Sequence, residues 1–274
     1  MKNFSRKKVL ITGAASGIGK LMAQTLAKRG AEIVIADINF EEAKKVAEEI
    51  KSNGGKAHAF LLNLADVESI KKCKADVSAA GIVIDVLINN AGVVFGGEFE
   101  SLSLEKHLLT YKINIDGLVA MTHLFFGDLK RSADANIVNI ASASGLIGLP
   151  YGTSYASSKW AVIGFSESLR VECLERGINN VHVTTVCPSY ISTGMFHGVK
   201  APMLLPWLKP ETIVNKIILG MENNAPFVKE PFVVKTVDLL KGILPLVVYT
   251  KISKILGVST SMTHWKGREL KELN

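Results

Sequence analysis

The chain has 274 residues, of which 48% are hydrophobic and 21% charged, a composition typical of a folded globular protein with a large core. The formal net charge is +7, but no block of like charge or recognisable nucleic-acid module accompanies it, so no nucleic-acid partner is predicted. The three cysteines lie far apart without metal-ligand spacing, which favours a reducing, cytoplasmic location and predicts no metal site. No stretch of about 18 uncharged apolar residues is present, so we expect no membrane-spanning helix.

Short apolar runs alternate with stretches of helical periodicity over the first two thirds of the chain. The predicted elements are, in chain order, strand 8–12, helix 17–29, strand 32–36, helix 40–53, strand 57–62, a helix from about 66, strand 84–88, helix 104–130, strand 136–141, helix 154–176 and strand 181–187. The strands are apolar on both faces, a pattern that indicates an α/β fold with a parallel sheet between helices. We therefore predict a Rossmann-type doubly wound parallel sheet with helices on both faces.

The pattern changes after the sixth predicted strand. A long loop (188–208), a helix (211–223) and an apolar helical extension interrupted by lysines (232–256) are predicted there. Because no internal linker is present, we expect a single domain. Its core spans residues 1–187, and its substrate loop and C-terminal extension span residues 188–274.

A glycine-rich turn follows the first predicted strand. A diphosphate can approach main-chain N–H groups at a helix N-terminus only where no Cβ stands in the way. Such a turn also occurs without a ligand, but its place after the first strand of an alternating α/β chain predicts a dinucleotide cradle. The predicted cradle residues are Gly13, Ser16, Gly17, Ile18 and Gly19.

The second strand is followed by Asp37, which determines the predicted cofactor. Its carboxylate can accept hydrogen bonds from the adenosine ribose hydroxyls, and it repels the 2′-phosphate of NADP. Ile38 comes next, and the glycine-rich turn contains no Arg or Lys to bind such a phosphate. An ordinary strand-ending aspartate is the alternative. The sequence predicts that NAD(H) is preferred over NADP(H).

Tyr155 and Lys159 are four residues apart at the start of a predicted helix, so their side chains share one face. Interconverting an alcohol and a carbonyl requires hydride transfer and a proton transfer at oxygen. A nearby ammonium group and a positively charged nicotinamide favour tyrosinate, so we expect the pKa of Tyr155 to move down toward working pH. Ser142 ends the fifth strand, at the edge where α/β sheets bind ligands. Taken singly, these residues are better interpreted as a solvated helix pair and a strand-end serine that starts a loop.

Together these residues resemble the short-chain dehydrogenase/reductase family, from about residue 7 to residue 193. Residues 12–19 resemble its T-G-x-x-x-G-I-G turn, and residues 89–92 its N-N-A-G motif. The residues that resemble its catalytic tetrad are Asn114, Ser142, Tyr155 and Lys159. The resemblance implies that Tyr155 is the general acid/base and that Ser142 orients the substrate oxygen. It implies that Lys159 binds the nicotinamide ribose and lowers the pKa of Tyr155, and that Asn114 holds a water that relays protons to Lys159.

The resemblance also implies further cofactor contacts. These are Asn63, Leu64, Asn90, Ala91, Gly92, Pro188 and Thr193, together with Tyr155 and Lys159. Two positions depart from the family pattern. Asn63 replaces an aspartate that contacts the adenine amino group, and its amide oxygen can accept the same hydrogen bond. Ser189 replaces the glycine of a Pro-Gly pair.

The loop after the sixth strand is apolar and rich in methionine, which suits a hydrophobic small-molecule substrate, although packing on the core explains it equally well. Its apolar residues are Met195, Phe196, Met203, Leu204, Leu205, Pro206, Trp207 and Leu208. The terminal segment 262–268 is similar to the branch of the family that contains retinol dehydrogenases and 17-beta-hydroxysteroid dehydrogenases.

The resemblance further implies a homodimer or homotetramer, with helices 104–130 and 154–176 as the usual subunit contacts. For residues 232–256 three interpretations stay open: peripheral contact with a membrane surface, a cover over the active site, or packing against another subunit. Packing within protein is slightly favoured, because the membrane alternative leaves a large exposed apolar patch.

Three functions are compatible with the sequence. The favoured one is NAD(H)-dependent interconversion of a hydroxyl and a carbonyl group on a retinoid, steroid or fatty alcohol. An NADPH-dependent carbonyl or 3-oxoacyl reductase is the second, and Asp37 argues against it. A non-catalytic NAD(H)-sensing protein is the third, and the complete set of four catalytic residues argues against that.

Overall fold

A computed structural model describes residues 3–203 and 205–267 of the chain. Within them, seven strands form one parallel sheet in the order β3-β2-β1-β4-β5-β6-β7. The strands are β1 (Lys8–Thr12), β2 (Glu32–Asp37), β3 (Lys56–Leu61), β4 (Val86–Asn89), β5 (Ala135–Ile140), β6 (Val181–Pro188) and β7 (Phe227–Glu230). The order reverses between β1 and β4, and at such a reversal the strand ends open a crevice for a ligand.

Helices cover both faces of the sheet, as predicted. They are α1 (Gly17–Lys28), α2 (Phe40–Ser52), α3 (Val67–Ala79), α4 (Leu104–Tyr111), α5 (Gly117–Arg131), α6 (Thr153–Glu175), α7 (Pro210–Glu222), α8 (Phe232–Lys235), α9 (Val237–Ile243) and α10 (Leu246–Ile255). Helices α1, α2 and α7 pack on one face and α3, α5 and α6 on the other.

Buried side chains alternate between the two faces of the sheet along β1, which explains why residues 9–11 are all apolar. Val9 and Ile11 belong to the core cluster under α1, α2 and α7, while Leu10 belongs to the cluster under α3 and α5. All three are fully buried. A strand between two helical layers buries both of its faces, so consecutive positions need apolar side chains. The Rossmann-type doubly wound fold is therefore confirmed.

The structure differs from the predicted elements in two places. The sequence pattern does not predict β7, whose four residues include Lys229 and Glu230, because a short edge strand gives no apolar run. The predicted helix 104–130 is interrupted by a π-helical turn at Lys112–Asp116. The apolar segment 232–256 is helical, as predicted, and is divided into α8, α9 and α10.

No helix among residues 3–203 and 205–267 is both long and apolar enough to cross a membrane.

Two predictions for the C-terminal part are not tested by the structure. Leu204 of the predicted apolar loop and Arg268 of the terminal segment lie outside the described residues. The division into a core at 1–187 and an extension at 188–274 stays a prediction.

Candidate active site

The glycine-rich turn between β1 and α1 adopts a conformation that only glycine takes readily. Gly13 and Gly17 have φ angles of +65° and +57°. A Cβ atom on Gly13 would lie 2.9 Å from the Cα of Ala91, and one on Gly19 would overlap the carbonyl oxygen of Gly13. Gly19 does not line the cleft. Its lack of a side chain instead allows α1 to begin directly behind the turn.

The segment after β4 braces the same turn. The side-chain amide of Asn90 donates to the carbonyl oxygens of Thr12 and Gly13, at 2.9 and 3.1 Å. The hydroxyl oxygen of Thr12 accepts from the main-chain N–H groups of Asn90 and Ala91, each at 3.0 Å. These four hydrogen bonds fix the two walls of the cradle against each other.

Asp37 ends β2 beside the cradle. Its two carboxylate oxygens accept from the main-chain N–H groups of Ala15 and Asn39, both at 2.9 Å. A carboxylate has lone pairs for about four hydrogen bonds, so Asp37 can still accept from ligand hydroxyls. Of the described residues that line the cleft, Lys159 is the only basic one, and it comes from α6 rather than from the cradle.

A cleft of about 490 Å³ follows the carboxyl ends of the strands. It is lined by every predicted site residue except Gly19 and Asn114. The sequence did not predict Ala36, Leu62, Val93, Ile113, Ile140, Ala141, Ser189 and Ile191, which also line it. Several of these flank predicted residues at strand ends, so extending each motif by one or two positions would have found them.

Tyr155 lies in the first turn of α6, where it is buried and lines the cleft. Burial raises the pKa of Tyr155 to about 12, and a hydrogen bond from the side chain of Ser142 acts in the opposite direction. Desolvation of the phenolate thus outweighs the surrounding protein groups, and the downward pKa shift expected beside a positively charged nicotinamide stays a prediction. The side-chain nitrogen of Lys159 lies 5.8 Å from the centre of the Tyr155 ring.

Lys159 is buried one helical turn after Tyr155. Its ammonium group donates to the carbonyl oxygen of Ile140 at 2.8 Å, at the end of β5. Burial lowers the pKa of Lys159 to about 8. This side chain can therefore exchange a proton near neutral pH, which an exposed lysine does not do.

Asn114 lies in the π-helical turn rather than in the cleft. Its amide nitrogen donates to the carbonyl oxygen of Val93 at 2.9 Å and to the hydroxyl of Ser158 at 3.0 Å, while its oxygen accepts from the N–H of Val93 at 2.8 Å. Ser158 in turn donates to the carbonyl oxygen of Tyr155 at 2.7 Å. The side chain of Asn114 thus ties the wall at Val93 to α6, and its predicted role in a water relay stays a prediction.

A buried polar network anchors α6 to the centre of the sheet. The amide nitrogen of Asn89 donates to Thr122 on α5 at 3.0 Å and to Asn139 on β5 at 2.9 Å. Asn139 donates to Ser166 on α6, also at 2.9 Å. Because buried donors that lose their partners are costly, this network holds in place the helix that carries Tyr155.

Apolar side chains pack against Tyr155. Its ring packs edge-on against Phe196, with centroids 5.9 Å apart, and Leu149 and Met262 complete the contact. A smaller cavity of about 30 Å³ adjoins Ser142 and Tyr155 behind Phe196.

The structure places the predicted apolar loop residues in different environments. Met195 and Phe196 line the cleft, and Leu205 lines the smaller cavity. Leu208 packs in the core, whereas Met203 and Trp207 are exposed. The loop therefore contributes only part of its apolar residues to the substrate side of the site.

The C-terminal segment 261–267, which the sequence pattern did not place, holds this loop. The indole nitrogen of Trp265 donates to the carbonyl oxygen of Met195 at 3.1 Å. The main-chain N–H of Lys266 donates to the carbonyl oxygen of His197 at 2.9 Å. The hydroxyl of Tyr190 donates to Ser261 at 2.8 Å. No periodicity marks such a segment, so these contacts could not be predicted.

Residues 7–203 match the short chain dehydrogenase family. Epidermal retinol dehydrogenase 2 of Mus musculus is 33% identical, covering 98% of this chain and 88% of that protein. Estradiol 17-beta-dehydrogenase 11 of Homo sapiens is 32% identical, covering 89% and 81%. An uncharacterized oxidoreductase of Thermotoga maritima is 38% identical, covering 82% and 89%.

Solved structures show the same fold. A short chain dehydrogenase/reductase from Burkholderia phymatum, in complex with NAD, superposes with a TM-score of 0.79 at 22% identity, covering 88% of this chain and 95% of that one. An alcohol dehydrogenase from Thermococcus sibiricus, complexed with 5-hydroxy-NADP, superposes with a TM-score of 0.72 at 25% identity, covering 82% of this chain and 94% of that one.

The chain belongs to the short-chain dehydrogenase family and is an NAD(P)-dependent oxidoreductase that acts on hydroxyl groups. The predicted resemblance to the retinol dehydrogenase and 17-beta-hydroxysteroid dehydrogenase branch is confirmed by the relatives it matches.

Proposed function

We propose that this enzyme interconverts the hydroxyl and carbonyl groups of a lipophilic alcohol, such as a retinoid, steroid or fatty alcohol, and that it prefers NAD(H). One observation carries the proposal. A single cleft joins Asp37 at the cradle to Ser142 and Tyr155 at an end walled by Met195 and Phe196. The cradle end suits an unphosphorylated adenosine ribose, and the other end suits an apolar substrate.

The cradle fits a nicotinamide dinucleotide, because Gly13 and Gly17 line the cleft without a Cβ at the N-terminus of α1, where a diphosphate can approach the main chain. Residues of the turn would hold the diphosphate, and Asp37 the adenosine ribose. When bound, the cofactor supplies the hydride acceptor or donor. The other residues proposed to contact it are Asn63, Leu64, Asn90, Ala91, Gly92, Tyr155, Lys159, Pro188 and Thr193.

The proton chemistry falls to Ser142, Tyr155 and Lys159. Ser142, already hydrogen-bonded to Tyr155, orients the substrate oxygen. Tyr155 accepts the proton of the substrate hydroxyl in oxidation and returns it in reduction. Lys159, whose pKa burial lowers to about 8, favours the tyrosinate when charged and can exchange its own proton. Asn114 acts as a positioning residue through Val93 and Ser158.

Replacing Asp37 with asparagine tests the cofactor preference. The amide oxygen still accepts one of the two main-chain hydrogen bonds, but the negative charge that repels a 2′-phosphate is gone. We expect wild-type kcat/KM to be at least about tenfold higher with NAD than with NADP, a difference of about 1.4 kcal/mol. The variant should raise kcat/KM with NADP by about tenfold. Steady-state kinetics with both cofactors measure the change.

Glu41→Gln is the matched control, because it removes an equal charge from the exposed first turn of α2, outside the cleft. It should leave the NAD/NADP ratio unchanged. Equal kcat/KM for the two cofactors in the wild-type enzyme would remove Asp37 from cofactor selection.

The apolar end of the cleft predicts a dependence on substrate chain length. Each buried methylene contributes about 0.8 kcal/mol, so kcat/KM should rise about three- to fourfold per methylene along straight-chain secondary alcohols until the site is filled. Phe196→Ala should flatten this dependence, whereas Phe99→Ala, at an exposed position elsewhere, should not. A kcat/KM that is flat or falls with chain length would contradict a lipophilic substrate.

We also propose a homodimer or homotetramer. Helices α4 and α6 pack side by side, and they expose Leu104, Leu108, Val171 and Leu174 to solvent. Light scattering should give two or four times the chain mass of 29.6 kDa. Leu108→Glu together with Leu174→Glu should lower that mass, and a wild-type monomer would contradict the proposal.

A further inference from the structure

Helices α9 and α10 expose an unusual number of large apolar side chains. Leu239, Ile243, Leu246, Val247 and Ile255 are each between 63% and 79% exposed. Such side chains are normally buried, and a contiguous exposed group of them marks an interaction surface. We call the outer side of these two helices the docking face.

The charges beside the docking face are almost all positive. Residues 231–267 contain five lysines and a single carboxylate, that of Asp238. Asp238 forms an ion pair with Lys229. Helix α10 contains no acidic residue, so its exposed Lys251 and Lys254 have no acidic partner on that helix. An apolar surface flanked by lysines is complementary to a layer of acyl chains beneath anionic headgroups.

The docking face is continuous with the substrate side of the active site. The N–H of Met203 donates to the carbonyl oxygen of Leu256, directly after α10, at 3.1 Å. Pro202 and Val258 line the small cavity that also touches Tyr155. Residues close in sequence to α10 and to Met203 therefore line the cavity beside the tyrosine.

We propose that the docking face binds the surface of an anionic lipid bilayer, through the apolar side chains of α9 and α10 and the lysines of α10. The charge argues for lipid over a second copy of the chain, because a symmetric contact through this face would bring two lysine-rich segments together. On the proposed function, the bilayer is also the source of the lipophilic alcohol, which enters beside Met203.

The test is sedimentation of the purified full-length enzyme with phosphatidylcholine vesicles, with and without phosphatidylserine, and without any substrate. We expect binding to the anionic vesicles that weakens as salt is added. Substituting Leu246→Ser, Val247→Ser and Ile255→Ser together should lower the partition coefficient at least about tenfold. Lys251→Glu with Lys254→Glu should do the same for anionic vesicles only.

Matched controls carry the same chemical changes elsewhere on the surface. Val67→Ser, Val83→Ser and Leu219→Ser remove three exposed apolar side chains, and Lys71→Glu with Lys72→Glu reverses two exposed lysines of α3. Both controls should bind vesicles as the wild type does. Absence of binding to any vesicle, or equal binding by the α10 variants, would overturn the proposal. The proposal would also be overturned if the wild type did not bind vesicles and the α10 variants lost an oligomer that the wild type forms. In that case a second copy of the chain would cover the docking face.

A kinetic comparison separates this proposal from the proposed function. The α10 variants should lose at least about tenfold in kcat/KM for a long-chain alcohol presented in anionic vesicles, yet keep wild-type kcat/KM for a short water-soluble alcohol. Vesicle binding without turnover of either alcohol would contradict the proposed function and leave the docking face supported. Turnover of both alcohols without vesicle binding would contradict the docking face and leave the proposed function supported.

Discussion

Replacing Tyr155 with phenylalanine should lower kcat for alcohol oxidation by at least about a thousandfold and change the Kd for NADH by less than about threefold. The variant removes one oxygen atom, which is the proton acceptor in the proposed reaction. The ring that packs against Phe196 stays, so the shape of the cleft is retained. Initial rates with saturating cofactor and a fluorescence titration with NADH measure the two quantities.

Tyr111→Phe is the control for loss of a phenol hydroxyl. That hydroxyl contacts Ser157 at 2.7 Å on an exposed part of the molecule, outside the cleft. The control should keep kcat within about twofold of wild type, since it touches no reacting group. If Tyr155→Phe retained more than a tenth of the wild-type kcat, Tyr155 would not be the acid/base.

Replacing Lys159 with methionine should abolish turnover and stabilise the fold. We expect kcat to fall at least about a hundredfold, because the variant can neither favour tyrosinate nor exchange a proton. The buried ammonium has a pKa of about 8 instead of its ordinary 10.5. That difference corresponds to a destabilisation of about 3 kcal/mol, which the variant removes. The variant also loses the hydrogen bond to Ile140, which lowers its stability by about 1 kcal/mol. The variant should therefore gain about 2 kcal/mol in the free energy of unfolding at pH 7.

The pH dependence of this gain follows from the direction of the pKa shift. Below pH 8 the folded and unfolded states both carry the charge, and burying it has its full cost. As pH rises from about 8 to 10.5 the folded lysine is neutral while the unfolded one still binds a proton, so wild-type stability rises. The advantage of Lys159→Met should fade over this range in denaturant titrations.

Lys74→Met is a control with the opposite expected sign. Lys74 lies 2.7 Å from Asp128, whose side chain is buried, so the variant removes a partner of a buried carboxylate. It should destabilise the fold by about 1–3 kcal/mol at pH 7 and leave kcat unchanged. A Lys159→Met variant that is less stable than wild type at pH 7 would show that the buried ammonium does not strain the fold.

The sequence predicts those parts of the molecule that depend on local patterns. Strand β1 contains three consecutive buried apolar residues, and the turn at Gly13 and Gly17 needs residues without side chains, so both are visible in the sequence. The four candidate catalytic residues are also recognisable by type and spacing. The edge strand β7 is not, because its short, charged sequence becomes a strand only by pairing with β6.

The electrostatics of the site depend on burial, which a sequence does not specify. The spacing of Tyr155 and Lys159 predicts that they lie together, but only the structure shows that desolvation raises one pKa and lowers the other. The π-helical turn that turns Asn114 toward Val93 is equally invisible, since helical periodicity continues through it. The contact between Trp265 and Met195 joins segments 70 residues apart.

The central claim is that this cleft transfers a hydride between an alcohol and NAD, with Tyr155 handling the proton. Its most direct test uses a long-chain secondary alcohol deuterated at the carbinol carbon, with mass spectrometry of the nicotinamide cofactor after incubation. We predict deuterium in the reduced NAD formed by wild-type enzyme, at least about tenfold less in NADP, and none above background with Tyr155→Phe. Deuterium transfer by Tyr155→Phe at the wild-type rate, or no transfer by wild-type enzyme, would contradict the account.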